Sequence, residues 1–105
     1  MRRAHEKSRR TYDLDEVKAL VQDECLILPK PVLKDALSLG FTRERIGEVI
    51  LELAPSDFYK SMTEHISRNE IYLDVYHKQV DDYILYIKFK ISKGVLLVVT
   101  SFKER

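Results

Sequence analysis

The chain has 105 residues, 45% of them apolar and 33% charged, enough for one packed core and too apolar for a disordered chain. No apolar run approaches the roughly 20 residues that span a bilayer. The single cysteine, Cys25, excludes an internal disulfide and cannot build a zinc site alone. The expected setting is the reducing cytoplasm. The basic start is followed by no apolar stretch, so no secretory signal is expected.

The net charge of +1 is spread unevenly. Over residues 1–10, Arg2, Arg3, Lys7, Arg9 and Arg10 stand against Glu6, giving +4. Over residues 83–105, Lys88, Lys90, Lys93, Lys103 and Arg105 stand against Glu104, again +4, which leaves −7 between. Two basic ends around an acidic middle suit a polyanion on one face; ordinary surface charge is the plainer reading.

Residues 1–11 read as a basic flexible arm, followed by a single domain over 12–105. Asp13 is placed to cap a first helix, with Glu16 three residues on and Leu14, Val17, Leu20 and Val21 at helical spacing. The segment Cys25–Leu28 breaks at Pro29-Lys30-Pro31. Val32, Ala36, Leu37 and Leu39 predict a second helix closed by Gly40. Thr42 caps a third, with Ile46, Val49, Ile50 and Leu53 facing the core. Pro55-Ser56-Asp57 carries the signal for a short fourth helix reaching about His65. The period then changes to two. Ile71, Leu73 and Val75 alternate with Tyr72, Asp74 and Tyr76, and Leu85, Ile87, Phe89 and Ile91 alternate with Tyr86, Lys88 and Lys90. Ser92-Lys93-Gly94 reads as a tight hairpin turn. The nearly continuous apolar run from Val95 to Phe102 reads as a strand covered on both faces. This order predicts an α+β domain, with N-terminal helices packed on one face of a three-stranded, or slightly larger, antiparallel sheet.

The chain has no phosphate-binding Gly-rich loop, no GxSxG and no Cys/His cluster, so no metal or cofactor is expected. The three histidines are scattered: His65 falls at a predicted helix end, and His77 closes a run of aromatic and apolar residues. Tyr59, Lys60, Tyr72, Tyr76, Tyr86, Lys88, Lys90 and Lys103 form a more informative set. Aromatic faces stack single-stranded bases and lysines hold phosphates. Tyr86, Lys88 and Lys90 share one strand face. The same pattern also describes the solvated outer face of an ordinary sheet.

The segment Ser56-Asp-Phe-Tyr-Lys-Ser-Met-Thr63, then Asp74-Val-Tyr76, Tyr86-Ile-Lys88 and the ending Ser101-Phe-Lys-Glu-Arg105 resemble the MqsR toxin family, in matching order over about residues 11–105. The resemblance implies a RelE-like ribonuclease fold. It implies a sequence-preferring, metal-independent endoribonuclease that cleaves messenger RNA at GCU-type sites and inhibits translation. The family's catalytic lysine falls on Lys60, its strand tyrosine on Tyr86 and its C-terminal lysine on Lys103. Tyr59, Tyr76, Lys88 and Lys90 are the expected RNA-binding residues. The family's glutamine before the Asp-Val-Tyr triplet falls on Leu73, which has no hydrogen-bonding group. That departure leaves a second reading, a catalytically weakened relative that binds RNA or antitoxin. The implied partner is a separate zinc-containing, DNA-binding antitoxin resembling MqsA. The chain itself is expected to bind neither DNA nor membrane.

Overall fold

The computed structural model describes residues 5–63 and 71–105. Local sequence sets the helices. The Asp13 carboxylate accepts from the Asp15 backbone N–H at 2.8 Å and opens α1, Leu14–Gln22. Pro29 precedes α2, Lys30–Ser38, and Gly40, at φ +90°, lets the chain turn away from it. The Thr42 hydroxyl accepts from the Arg45 N–H at 3.2 Å and caps α3, Arg43–Leu51.

The sheet is larger than the sequence pattern suggested. Six strands are described: β1 Glu6–Lys7, β2 Leu26–Ile27, β3 Phe58–Thr63, β4 Tyr72–Val80, β5 Tyr83–Ser92 and β6 Leu96–Glu104. Their order is β1-β3-β4-β5-β6-β2. The three predicted strands form its centre as an antiparallel meander, but β2 runs parallel to β6, so the sheet is mixed. The strands β1 and β2 also interleave with the helices along the chain. Both edge strands have two residues, too few for a period to register.

Over the described residues 55–63 the predicted fourth helix does not form. Pro55–Asp57 forms one 3-10 turn, where the Asp57 carboxylate accepts from the Ala54 N–H at 2.8 Å, and the chain then enters β3. The remainder of that predicted helix, including His65, lies outside the described residues. The Lys93-Gly94 turn is as expected, with both residues at positive φ and the Val95 N–H donating to the Ser92 carbonyl at 3.1 Å.

The core lies between the three helices and one face of the sheet. Leu14, Val17, Val32, Ala36, Ile46, Val49 and Ile50 pack there against Tyr76, Leu85, Ile87, Phe89, Leu97, Val99 and Phe102. Phe102 meets Phe41 edge-on at 5.3 Å. Strand β6 is not covered on both faces. Leu97, Val99 and Phe102 are buried, while Leu96, Val98, Thr100, Ser101 and Lys103 are partly or fully exposed.

Asp74 ties the N-terminal segment to this frame. Its fully buried carboxylate accepts from the Thr11 and Tyr12 backbone N–H groups at 2.9–3.0 Å. The Tyr12 hydroxyl donates to the Tyr72 carbonyl at 2.6 Å, and the Thr11 and Ser61 hydroxyls lie 2.8 Å apart. Upstream, Glu6 and Lys7 pair with Met62 and Ser61.

Candidate functional site

The helices leave the second face of the sheet open, and strand register decides which side chains stand on it. Residues opposite each other in an antiparallel pair project to the same side. Lys60 lies opposite Val75, Val75 opposite Lys88, and Lys88 opposite Ser101. In the next row His77 lies opposite Tyr86 and Tyr86 opposite Lys103. Lys60, Tyr86 and Lys103, far apart in sequence, thus share one face across β3, β5 and β6. Lys88 and Lys90 extend it along β5.

A β-bulge adds Tyr59 to this face. The β3–β4 register shifts between Phe58 and Lys60, leaving Tyr59 as the extra residue. A bulge re-aims a side chain that regular alternation would send the other way. Phe58 turns to the core, meeting the Tyr76 ring edge-on at 5.5 Å. Tyr59 and Lys60 then both stand on the open face. The Tyr59 ring stacks on His77 with centroids 4.2 Å apart and planes at 21°, and it is 53% exposed. Lys60 Nζ stands 5.4 Å from the Tyr59 ring, and Lys103 Nζ 5.6 Å from the Tyr86 ring. A shallow depression beside them is lined by Glu6, Lys7, Ser8, Tyr59 and Lys60.

Within the segment from Ser56 to Thr63 the residues divide between the turn, the core and the open face. Asp57 closes the turn, Phe58 anchors the strand, and Tyr59 and Lys60 serve the open face. Ser61 is buried under the N-terminal segment, Met62 lies opposite Leu73, and the Thr63 hydroxyl accepts from the His5 N–H at 2.7 Å.

Lys60 is held as a cation. Its Nζ donates to Glu6 Oε2 at 2.7 Å, and this hydrogen bond raises its pKa above the ordinary lysine value against a smaller opposing effect of burial. Such an ammonium attracts an anion and is a poor base. At this partly exposed position the ion pair contributes at most about 1 kcal/mol to stability.

Tyr76 does not join the open face. It is fully buried, stacked on Phe89 at 5.4 Å, and its hydroxyl has no hydrogen-bond partner among the described residues. Burial, followed by the nearby Asp74 carboxylate, pushes its phenol up to about 12. A buried hydroxyl without a partner costs free energy. Tyr76→Phe is therefore expected to raise unfolding stability by about 1 kcal/mol in urea titration, with RNA cleavage unchanged.

Leu73 shares a strand face with Ile71 and Val75, which makes a core role its natural reading from the sequence. It is buried, but it lies outside the helix-facing core. With Val75 it forms an apolar floor on the same face as Lys60 and Tyr86. The glutamine that the family resemblance implies here would project toward the site, and this chain has a hydrocarbon in its place.

His77 was absent from the expected site set, yet it occupies the middle of the row, with its ring centroid 5.6 Å from that of Tyr86. Burial, then the charges of Arg105 and Lys60, lower its pKa below the usual 6.5. Strand parity alone does not find it, because parity puts His77 on the face of Leu73 and Val75, which reads as core in the sequence. Among the described residues no group of His, Cys, Asp and Glu is arranged to hold a metal ion, and no helix is long and apolar enough to cross a membrane. A cleft lies elsewhere, among α1, α3 and β2, where Glu24, Glu44 and Glu48 line it with a single Arg43. Its charge is of the wrong sign for a polyanion.

Comparison with known proteins identifies the family. The family model described as "Motility quorum-sensing regulator, toxin of MqsA" matches residues 9–104. The Escherichia coli (strain K12) protein named mRNA interferase toxin MqsR is 37% identical over 92 residues, covering 88% of this chain and 91% of that protein. A match of that extent places this chain in the MqsR toxin family.

Proposed function

We propose that the chain is a toxin endoribonuclease that cleaves messenger RNA on the open face of its sheet. The reading is supported above all by one observation: Lys60, Tyr86 and Lys103 converge on that face from three strands, with Tyr59 beside them. Bases would stack on Tyr59, while Lys88 and Lys90 would follow the phosphate backbone. The 2′-OH attacks the adjacent phosphorus, leaving a 2′,3′-cyclic phosphate and a 5′-OH end. Lys60 and Lys103 stabilise the charge that develops on the phosphorane, and Tyr86 orients the phosphate and assists proton transfer. The reaction uses no metal and favours GCU-type sites. A zinc-containing, DNA-binding antitoxin like MqsA restrains it in the cytoplasm.

The test is incubation of the purified protein with a defined single-stranded messenger RNA in EDTA, followed by mapping of the ends. Cleavage with cyclic phosphate ends is expected. Binding without cleavage would instead favour the weakened relative, a reading that Leu73 in the glutamine position supports. RNA affinity independent of salt would remove RNA from the account altogether.

A further inference from the structure

The residues assigned so far stabilise charge, position phosphate and donate protons, but they leave the 2′-OH without a base. Lys60 is fixed as an ammonium by Glu6, and that carboxylate is itself engaged at 2.7 Å. The Tyr86 phenol brings a proton to give, so it suits the leaving oxygen rather than the 2′-OH. His77 stands in the same row, directly opposite Tyr86, with one ring face stacked on Tyr59.

We propose that His77 is the general base of the cleavage, taking the 2′-OH proton on an imidazole nitrogen as the oxygen attacks phosphorus. This rests on the open face being the cleavage site. The Tyr59 ring stacks on His77 and Tyr86 lies opposite it, while the charges that act on it are Arg105, just past β6, and Lys60, which is itself paired with Glu6. Both are cations. They oppose a second positive charge on the ring, as does its partial burial, so the imidazole is neutral and able to accept a proton near neutral pH. The same cations attract the scissile phosphate to within reach of the ring.

The step balances within the row. The O2′–P bond forms and the P–O5′ bond breaks. The 2′-OH proton passes to His77, and O5′ takes the proton of the Tyr86 hydroxyl. The resulting phenolate lies beside Lys103, 5.6 Å from ring centroid to Nζ. Tyr86 recovers a proton from solvent as His77 releases its own.

Single-turnover cleavage of a defined RNA across pH tests this for the wild type, His77→Ala, His77→Gln and Lys60→Ala. For the wild type the rate is expected to rise with pH through a midpoint below 6.5, because the basic form of a histidine with a lowered pKa is reached earlier. Both His77 variants are expected to lose about 10²–10⁴-fold in rate and to lose that rising limb. Added imidazole should restore part of the rate to His77→Ala, which a structural role alone does not allow. If the His77 variants keep the rate and the limb while Lys60→Ala is inactive, the assignment of His77 falls and the site stands. If all three variants remain active, the site itself is misassigned and the inference falls with it.

Discussion

Lys60→Ala is expected to lower the rate of RNA cleavage by about 10²–10³-fold, the usual effect of removing one preorganised charge from a developing oxyanion. The loss should fall on the chemical step, measured at saturating protein over RNA. Unfolding stability should change little, since the substitution removes only a partly exposed ion pair with Glu6. Lys60 cannot serve instead as the base, because Glu6 raises its pKa rather than lowering it. A Lys60→Ala protein that cuts at the wild-type rate would sink the proposed site. Lys60→Arg separates charge from shape: if charge alone matters, much of the rate returns.

Asp74→Ala is expected to have the largest effect on stability, about 3 kcal/mol in the urea unfolding free energy. The carboxylate is fully buried and accepts hydrogen bonds from the backbone N–H groups of Thr11 and Tyr12. Its removal leaves those part-buried donors without their charged acceptor and a cavity where the fully buried carboxylate sat. The damage should spread in a defined direction. Thr11 and Tyr12 connect to β1, whose Glu6 holds Lys60, so hydrogen exchange should quicken along residues 6–12 before the central strands. Equal stability of Asp74→Ala and wild type would show that the N-terminal segment is anchored by something else.

The central sheet and the three helices were legible in the sequence because each carries a sustained period and a cap or turn with a fixed chemistry. Asp13, Thr42 and Lys93-Gly94 act as expected. The strand β3 was not legible. Pro55-Ser56-Asp57 is a genuine turn signal, and Phe58 and Met62 stand four apart as they would on a helix. The bulge at Tyr59 then breaks the alternation that would have argued for a strand.

One inversion of parity accounts for the burial of Tyr76 and for the place of His77 beside Tyr86. Leu73 and Val75 look like a core face, which sends Tyr76 outward and His77 inward. In the structure Leu73 to Tyr76 are all buried, so apolarity on alternate residues does not reveal which side faces the helices. Asp74 decides it by turning toward Thr11 and Tyr12, and Tyr76 follows Asp74 into the core between Phe58 and Phe89. His77 is thereby delivered to the open face. Lys60, Tyr86 and Lys103 came from family resemblance, and their convergence needed the register of three strand pairs that no local pattern contains.

The carboxylate on Lys60 bears on how affinity for RNA would be read in solution. Each phosphate that a protein cation neutralises releases a salt ion condensed on the nucleic acid, which steepens the fall of binding with salt by about 0.7 on logarithmic axes for a single strand. At Lys60 a phosphate must in addition displace Glu6, which stays tethered to the chain beside the ammonium. The protein carries its own competitor for RNA at that lysine. Glu6→Gln is therefore expected to tighten RNA binding, because it frees the Lys60 charge for a phosphate.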